Sequence, residues 1–507
     1  MKQILNLAFA SVICCFNSYA QQGTEVYLAD LNWEKDSLTI GLPANISNNE
    51  GYDNQPSFFS NDKILFASTR NNQTDIALYD INEKTITWLS NTPNGSEYSP
   101  LKIPGKENIS AVRLDEDGLQ RLYAYNFKTG ESKILIPDLK VGYHVWYSKD
   151  IIICTVLIEN RMDLVVYNLK ENTHNTVRKN VGRSLHKIPN TELISFIAKG
   201  GDNAIISSLN PTSNETKDII TLLGDSEDIS WTTEGGLINA INKHLLFFKP
   251  SIDTEWKVLK EFQLTDIHGI SRIAVSPNGK YLSFVSKDAP DKIVQKQVET
   301  FNARNLEAFA NCYSENVVVK NFSQDTISIG REQLRDGYEA FYKRTPSIEV
   351  KVSSRIIIGT TVIDQEFVTI GEKQKQQVAI YETDGLIKSM TFINDEKTSF
   401  DPEIIVQKQL DAYNKRDIDG FLNTYSESFK VYRYSGALQS DGLEAMRAGY
   451  TDFFNSSPDL HCEIINRIII GNKVIDEELI TANGRTFKGV AIYEVENNEI
   501  VKVTFVN

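Results

Sequence analysis

The chain has 507 residues, of which 41% are apolar and 24% charged, and its formal net charge is −14 at pH 7. This length predicts three or four domains, or fewer if one of them is a large all-β unit. The negative charge argues against nucleic acids and anionic membranes as partners, because phosphate binding needs clustered lysine and arginine, which the sequence lacks.

The first 20 residues have the pattern of a secretory signal peptide. Lys2 carries the positive charge, residues 4–16 are an apolar stretch, and residues 18–20 (SYA) form a small-x-small cleavage site. The apolar stretch is too short for a membrane-spanning helix, and no later segment is long and apolar enough. We therefore expect an exported protein, periplasmic or secreted, that is cleaved near Ala20 and has no transmembrane anchor. A lipoprotein signal through Cys14 is a weaker alternative.

Residues 24–288 contain short alternating strands separated by Asn, Asp, Gly and Pro turns, a pattern typical of all-β folds. Four-strand units recur with a period of about 40–45 residues, which indicates a β-propeller. The units lie near residues 56–90, 98–137, 143–179, 184–222 and 227–262. Residues 270–288 supply only two further strands, and the other two are found at 25–31 and 37–42. The sequence therefore predicts a closed ring of six blades, the last of them built from both ends of the region, and this closure pairs edges that would otherwise invite aggregation.

Two stretches of this region resemble the TolB-type propeller repeat, P-x-F-S-x-D-G-K-x-I-x-F-x-S. They are residues 55–81 (QPSFFSNDKILFASTRNNQTDIALYDI) and 275–288 (VSPNGKYLSFVSKD). The resemblance covers about half the chain and implies a non-catalytic, exported platform that binds another protein or a peptide. Related propellers of serine peptidases accompany a hydrolase domain with a G-x-S-x-G motif. No such motif is present, which argues against a peptidase.

The sequence indicates no metal and no cofactor. Its six histidines form neither an H-x-x-x-H nor an H-E-x-x-H spacing. Cys154, Cys312 and Cys462, the cysteines beyond the predicted signal peptide, are too widely spaced for a zinc site or a disulfide framework. We expect them to be small buried residues.

The C-terminal region contains one sequence twice. Residues 293–381 align with 405–493 without a gap, and 36 of the 89 positions are identical. The match predicts two copies of one fold, the first module at 289–395 and the second module at 401–507. Each copy predicts two helices, a strand, a third helix and a series of antiparallel strands. Asp401-Pro402-Glu403 has the cap, proline and acid typical of a helix start.

This order of elements, together with the motif N-x-R-[ND]-[LI]-[ED]-x-F-x-x-x-Y-[SA]-[ED], resembles the SnoaL-like fold, also called nuclear-transport-factor-2-like. The motif begins at Asn302 and at Asn414. The resemblance implies an α+β cone, in which a bent sheet surrounds the first helix and an apolar pocket. Many members pair through the outer face of the sheet. The two modules are therefore expected to bind a small apolar ligand, or to pair within one chain.

Ketosteroid isomerases, the best-known enzymes on this fold, need a carboxylate base, a tyrosine and a protonated aspartate. With the chain aligned on the asparagine after the first helix, the position of the base holds Asn321 and Arg433. The position of the tyrosine holds Gln297 and Gln409. Because neither Asn nor Arg accepts a proton at neutral pH, the sequence favours a non-enzymatic binding protein.

The acidic pairs Asp364-x-Glu366 and Asp476-x-Glu478 occur in both modules, and alternate residues of a strand share one face. If that face lines the cone, the acids would serve as acid and base with raised pKa values. If it does not, they are salt-bridge partners of Arg355 and Arg467, which is the interpretation favoured by the commonness of such networks. The alternative function is an isomerase or hydrolase that acts on a small apolar substrate through Glu366 or Glu478. The candidate ligand-binding residues are Tyr313, Tyr425, Tyr338, Tyr450, Tyr432, Arg433, Tyr381 and Tyr493.

Overall fold

The computed structural model of the protein describes residues 23–34, 37–71, 73–93, 95–224, 226–262, 267–322, 325–396 and 398–506. The predicted signal peptide lies outside these residues. The chain divides into two compact units, with the boundary between Lys287 and Asp288. Among the described residues, no helix has the length and apolarity needed to cross a membrane.

The N-terminal unit consists of small antiparallel sheets. The first three strands are β1 (Thr24–Glu34), β2 (Ser37–Ile40) and β3 (Ala44–Asn45). Five four-stranded sheets follow in chain order. Their strands are β4 (Asp53–Phe58), β5 (Lys63–Arg70), β6 (Gln73–Asp80) and β7 (Thr85–Trp88); β8 (Ser96–Lys102), β9 (Asn108–Leu114), β10 (Gln120–Asn126) and β11 (Ser132–Ile136); β12 (Val141–Trp146), β13 (Ile151–Ile158), β14 (Arg161–Asn168) and β15 (Thr173–Arg178); β16 (His186–Lys187), β17 (Ile194–Ala198), β18 (Ile205–Leu209) and β19 (Thr216–Thr221); β20 (Ile229–Trp231), β21 (Leu237–Ile241), β22 (His244–Phe248) and β23 (Lys257–Glu261).

The sixth sheet joins both ends of this unit. Strands β24 (His268–Val275) and β25 (Tyr281–Lys287) complete it in the order β2-β1-β25-β24, and β3 also pairs with β1. The joining register runs from Thr24 opposite Lys287 to Asp30 opposite Tyr281. The predicted six-bladed propeller, with its last blade built from both ends of the region, is thus confirmed.

Buried apolar clusters hold neighbouring blades together. Each of six clusters combines residues of two adjacent sheets, and together they run around the ring. Leu65 packs with Tyr125 between the first two blades, and Val285 packs with Phe66 between the sixth and the first. Burial of this apolar area on both faces of each sheet is the main stabilising contribution to the ring.

The first module has the predicted order of elements. Its elements are α1 (Pro290–Asn302), α2 (Leu306–Ala310), β26 (Tyr313–Asn321), β27 (Thr326–Ile329), α3 (Arg331–Arg344), β28 (Ile348–Ile358), β29 (Thr361–Ile370), β30 (Lys373–Asp384) and β31 (Leu386–Asn394). The sheet order is β27-β26-β31-β30-β29-β28, and β26 runs parallel to β31.

The second module repeats this topology. Its elements are α4 (Pro402–Lys415), α5 (Ile418–Leu422), β32 (Tyr425–Arg433), β33 (Leu438–Asp441), α6 (Leu443–Ser456), β34 (His461–Ile470), β35 (Lys473–Ala482), β36 (Arg485–Glu496) and β37 (Glu499–Val506). Asp401 caps α4 by accepting a hydrogen bond from the Glu403 amide at 3.0 Å, as its sequence predicts.

The N-x-R motif fixes the end of the first helix to the sheet. The Asn414 side chain donates to the Cys462 carbonyl at 2.9 Å and accepts from the Cys462 amide at 2.7 Å. Arg416 has a left-handed backbone with φ of 56° and ends α4. Asn302 and Arg304 have the same roles in the first module. These residues persist in both copies because they hold the helix in the cone.

The two modules contact each other through the outer faces of their sheets. The cluster between them consists of aliphatic side chains from both sheets, namely Ile356, Ile363, Val378, Ile380, Ile393, Ile468, Ile470, Ile475, Val490, Ile492 and Val506. The Tyr434 hydroxyl donates to Thr391 Oγ1 at 2.8 Å, and Asn466 Nδ2 donates to Ser354 Oγ at 2.9 Å. The modules therefore form a pseudo-dimer within one chain.

Candidate functional site

Strand β35 directs one aspartate and one glutamate into the second module. Asp476 and Glu478 share a strand face with Val474, which belongs to the module's own core. Ile475 points the other way, into the cluster between the modules. The alternation of the strand therefore places both carboxylates inside the cone.

The aspartate is held in an ion pair. Arg467 Nε and Nη2 donate to the two carboxylate oxygens of Asp476, both at 2.7 Å. Burial raises the pKa of Asp476, and the guanidinium opposes that rise. Asp364 and Arg355 form the same bidentate pair in the first module, at 2.7 and 2.6 Å. The salt-bridge interpretation of the sequence thus describes the aspartates.

The glutamate has a different environment. Glu478 is 7% exposed, and its Oε1 accepts a hydrogen bond from the Tyr493 hydroxyl at 2.8 Å. Burial raises its pKa from 4.5 to about 7, although the hydrogen bond from Tyr493 lowers it. No described residue donates a hydrogen bond to Oε2. Burial also raises the pKa of Tyr493 well above 10, so the tyrosine stays a donor.

Glu478 lines a cavity of about 450 Å³ in the second module. The lining is mostly apolar and aromatic, and it consists of Gln409, Leu410, Tyr413, Tyr425, Phe429, Val431, Ser440, Ala445, Met446, Gly449, Tyr450, Phe453, Cys462, Glu478, Ile480, Phe487, Tyr493, Val503 and Phe505. Ala445 and Gly449 of α6 are exposed, and Phe487 is 49% exposed, so these residues mark the opening. The volume and lining are typical of small-molecule sites.

The first module has the same glutamate–tyrosine pair, but a glutamine side chain covers the glutamate. Tyr381 donates to Glu366 Oε1 at 2.9 Å, and Gln377 Nε2 donates to Oε2 at 2.8 Å. Burial raises the pKa of Glu366 to about 7. The strand position opposite the glutamate, Gln377 here, holds Gly489 in the second module. Both oxygens of the first glutamate are therefore engaged, whereas the second glutamate keeps one open.

A second exchange changes the space in front of the carboxylate. Met390 pairs with Val319 in the first module, and Val503 takes the equivalent place opposite Val431 in the second. The Tyr313 hydroxyl lies 3.6 Å from the Met390 sulfur and donates to it. The longer methionine thus occupies a region that valine leaves free in the second module.

Comparison with known families assigns the two modules. Residues 294–388 and 406–503 match the family described as the SnoaL-like domain. Both modules are SnoaL-like domains. The matched segments and the sheet topology agree with the resemblance given by the N-x-R motif. A comparison with curated protein sequences finds no significant match.

Solved structures are similar to each half of the chain. An NTF2-like protein of unknown function from Cytophaga hutchinsonii is 19% identical, over 22% of this chain and 92% of its own, with a TM-score of 0.19. TolB from Acinetobacter baumannii is 10% identical, over 53% of this chain and 64% of its own, with a TM-score of 0.36. An oligogalacturonate lyase in complex with manganese is 13% identical, over 50% and 82%, with a TM-score of 0.35. Likenesses at this level carry no conclusion about activity.

The predicted ligand residues of the SnoaL-like domains fall into three groups. Tyr425, Tyr450 and Tyr493 line the cavity of the second domain. Their counterparts Tyr313, Tyr338 and Tyr381 pack in or against the core of the first. Tyr432 and Arg433 lie outside the cavity wall: Lys502 Nζ lies 5.3 Å from the Tyr432 ring centroid, and the exposed Arg433 donates to Gln439 at 3.2 Å. Strand alternation explains the position of Tyr432, because its neighbour Val431 faces the cavity. Arg433 shares the face of Val431 but is the exposed last residue of β32.

The carboxylate in the cavity wall lies on a different strand from the position aligned with the base of ketosteroid isomerases. Asn321 and Arg433, at the end of the strand after the second helix, provide no carboxylate, whereas Glu478, the alternative residue named from the sequence, lies on β35. The sequence analysis missed Gly489, although a glycine inside a strand often marks a site where a ligand or another backbone approaches closely. The exchange of Gln377 for Gly489 between the two copies was the available signal.

Among the described residues, no group of three or more His, Cys, Asp or Glu side chains is arranged to hold a metal ion. Cys154, Cys312 and Cys462 are buried, and no disulfide joins them. Cys462 lines the cavity of the second SnoaL-like domain, where burial raises the pKa of its thiol. It therefore contributes an apolar surface, as expected for a buried cysteine.

Proposed function

We propose that the second SnoaL-like domain binds a small, largely apolar molecule and exchanges a proton with it through Glu478. The observation that carries this proposal is the Glu478–Tyr493 pair in the wall of the 450 Å³ cavity. General acids and bases are most effective when their pKa lies near the working pH. Burial brings the pKa of Glu478 to about 7.

The proposed reaction is proton transfer of the isomerase type. Glu478 Oε2 takes a proton from the carbon next to a ligand carbonyl and returns it to that carbon or to a conjugated one. Tyr425 and Tyr450 supply hydroxyl donors for the carbonyl oxygen. Burial raises the pKa of Tyr450 to about 12 and that of Tyr425 well above 10, so both stay protonated.

Binding without turnover is the second candidate. The first domain favours it, because the Glu366–Tyr381 pair persists there although Gln377 covers the carboxylate. The pair is therefore compatible with a purely structural role. The two candidates differ in one result. Proton transfer requires a glutamate that ionises, whereas binding without turnover does not.

Two probes separate the candidates on the full chain. N-phenyl-1-naphthylamine, a neutral aromatic dye, reports occupancy of the cavity by its fluorescence. Exchange of the α-hydrogens of 2-tetralone for deuterium, followed by NMR, reports proton transfer. Glu478→Gln keeps the shape and the acceptor for Tyr493, but its amide neither takes up nor releases a proton as a base or acid near neutral pH. We expect it to bind the dye like the wild type and to slow the catalysed exchange by about 10²- to 10⁴-fold.

The first domain provides matched controls. Gly489→Gln with Val503→Met installs the residues of the first domain in the second and should abolish dye binding and exchange. A Cβ on Gly489 would meet only Glu478 Oε2, at 4.0 Å, so the backbone tolerates the change. Gln377→Gly with Met390→Val makes the reverse exchange. Dye binding that survives the first double substitution contradicts the assigned cavity. Binding by a wild type that exchanges no deuterium favours the second candidate.

We also propose that the protein is exported and that its propeller presents a surface to another exported protein or a peptide. The leader pattern in residues 1–20 and the TolB-like repeats support this. Sequencing of the purified native protein should give Gln21 as the first residue, and a retained Met1 would refute cleavage. Cross-linking in intact cells should then capture the partner through the propeller and not through the SnoaL-like domains.

A further inference from the structure

The propeller contains a second, smaller cavity on its axis. Each of the six blades contributes a short segment to its wall, from the first strand of the blade or just before it. These segments begin with Gln55, Ser99, Tyr143, Arg183, Asp228 and Arg272. The volume is about 110 Å³, which is room for about three water molecules or one short carboxylate. Nothing in the proposed function of the SnoaL-like domains uses this site.

The wall of this axial cavity is rich in hydrogen-bond donors. Arg272 Nη2 donates to the Tyr143 hydroxyl at 3.1 Å, and its guanidinium forms no ion pair with any described carboxylate. Gln55 accepts from the Ser99 amide at 2.8 Å through its carbonyl oxygen, which leaves its side-chain N–H groups available. Ser99 Oγ is buried without a hydrogen-bond partner among the described residues. Arginine carries only donors, so the other N–H groups of Arg272 and the side-chain N–H groups of Gln55 have no acceptor among the described residues.

The carboxylate of the wall is already engaged. Arg183 Nε and Nη2 donate to the two oxygens of Asp228 at 3.0 and 2.5 Å. His186, also in the wall, stays neutral because burial lowers its pKa to about 4. The charge of Arg272 is therefore not balanced by the described wall, and the cavity as a whole is positive within a chain of net charge −14.

The backbone of three blades is bent at this site. Gln55, Ser99 and Arg272 have φ values of 56°, 49° and 52°, and each lies within a register shift of its strand. A left-handed backbone conformation in a residue other than glycine costs about 1–3 kcal/mol, and such residues cluster at ligand sites. The bulges direct these side chains towards the axis, where a ligand would meet their donors.

We propose that the axial cavity binds the carboxylate of a small organic acid. A carboxylate offers two coplanar oxygens, which match the parallel N–H groups of the Arg272 guanidinium. Its charge satisfies the guanidinium, and its remaining lone pairs accept from the Tyr143 hydroxyl and the Gln55 amide. A cation would meet the positive arginine, and an apolar group would leave the donors buried and unsatisfied.

The proposal is tested with acetate as the probe, in a ligand-observed NMR titration of the full chain at constant ionic strength set with chloride. Arg272→Gln removes the charge but keeps amide donors in the wall. We expect it to weaken acetate binding by about tenfold or more, as loss of a charge-assisted hydrogen bond implies. Tyr143→Phe should weaken binding less, and it serves as a second variant if Arg272→Gln lowers the thermal stability of the propeller.

Arg121→Gln is the matched control, because it removes the same charge from an arginine that pairs with Asp115 and Asp117 elsewhere in the propeller. Its acetate affinity should equal that of the wild type. The proposal is overturned if the wild type does not bind acetate, or if Arg272→Gln and Tyr143→Phe bind it unchanged. Equal weakening by Arg121→Gln would also overturn it, since binding would then follow net charge alone. Tighter binding of phosphate than of acetate would refute the carboxylate assignment.

Discussion

Replacement of Glu478 by glutamine should stabilise the C-terminal unit at alkaline pH and leave it unchanged at acid pH. The pKa of Glu478 is about 7 in the folded chain, against 4.5 as its ordinary value. Between these values the folded chain binds more protons than the unfolded chain, so the free energy of unfolding falls as pH rises. One pKa unit corresponds to about 1.4 kcal/mol, and the full loss above pH 7 is about 3 kcal/mol. Glutamine does not ionise and removes that loss.

The assay is urea unfolding of the full chain at about pH 4 and about pH 8.5, read by pulsed hydrogen exchange of β35 peptides. Below the ordinary pKa, Glu478 is protonated in both states, so the two proteins should unfold at the same urea concentration. Peptides of the propeller provide an internal reference. All five tryptophans, namely Trp33, Trp88, Trp146, Trp231 and Trp256, also lie in that unit, so their fluorescence should show no change.

Two further variants test whether the alkaline gain comes from a buried carboxyl group. Glu366→Gln should give a similar gain, because burial raises the pKa of that carboxyl to about 7 as well. Glu477→Gln changes a neighbouring acid whose partner is Lys488, at 3.1 Å, and should give no alkaline gain. A gain of equal size at both pH values, or none at about pH 8.5, would show that Glu478 is not held neutral by burial.

Three other changes have defined outcomes. Asp476→Asn removes the buried, bidentate partner of the partly buried Arg467 and should cost about 3 kcal/mol in urea unfolding, and a loss below about 1 kcal/mol would contradict the ion pair. Ile475→Ala opens a void between the two modules and should cost about 3 kcal/mol, with both modules losing protection from hydrogen exchange together. Tyr493→Phe deletes the hydrogen bond that lowers the pKa of Glu478, so the carboxyl should titrate above pH 7 in a carbon-13 NMR titration; an unchanged midpoint would refute that contact.

Much of the architecture could be predicted because it is repetitive. The period of strands in residues 24–288 predicted the number of blades. Each end of this region has only two strands of a blade, which predicted the pairing of β1 with β25. The ungapped match of residues 293–381 to 405–493 predicted two copies of one fold, and the order of helices and strands followed from periodicity. Hydrophobic periodicity reflects which face of a helix or strand is buried, and it can be read from a single sequence.

The site was only partly predictable. Strand alternation determines which face of the sheet a side chain lies on, but not which residue it forms a hydrogen bond or ion pair with. It placed Asp476 and Glu478 together, whereas the structure separates their roles through Arg467 and Tyr493. Those partners are distant in sequence or lie on other strands. The axial cavity of the propeller was not predicted at all, since its wall takes a short segment from each blade and no local pattern marks such a set.

The pairing of the two SnoaL-like domains within one chain has a genetic consequence. In a dimer of identical subunits, every substitution appears twice, so a residue that closes one pocket closes both. Here Gln377 and Gly489 occupy matching positions and are free to differ. A fused pair can therefore cover the carboxylate in one interior and leave it open in the other, an asymmetry that a symmetric assembly could not inherit.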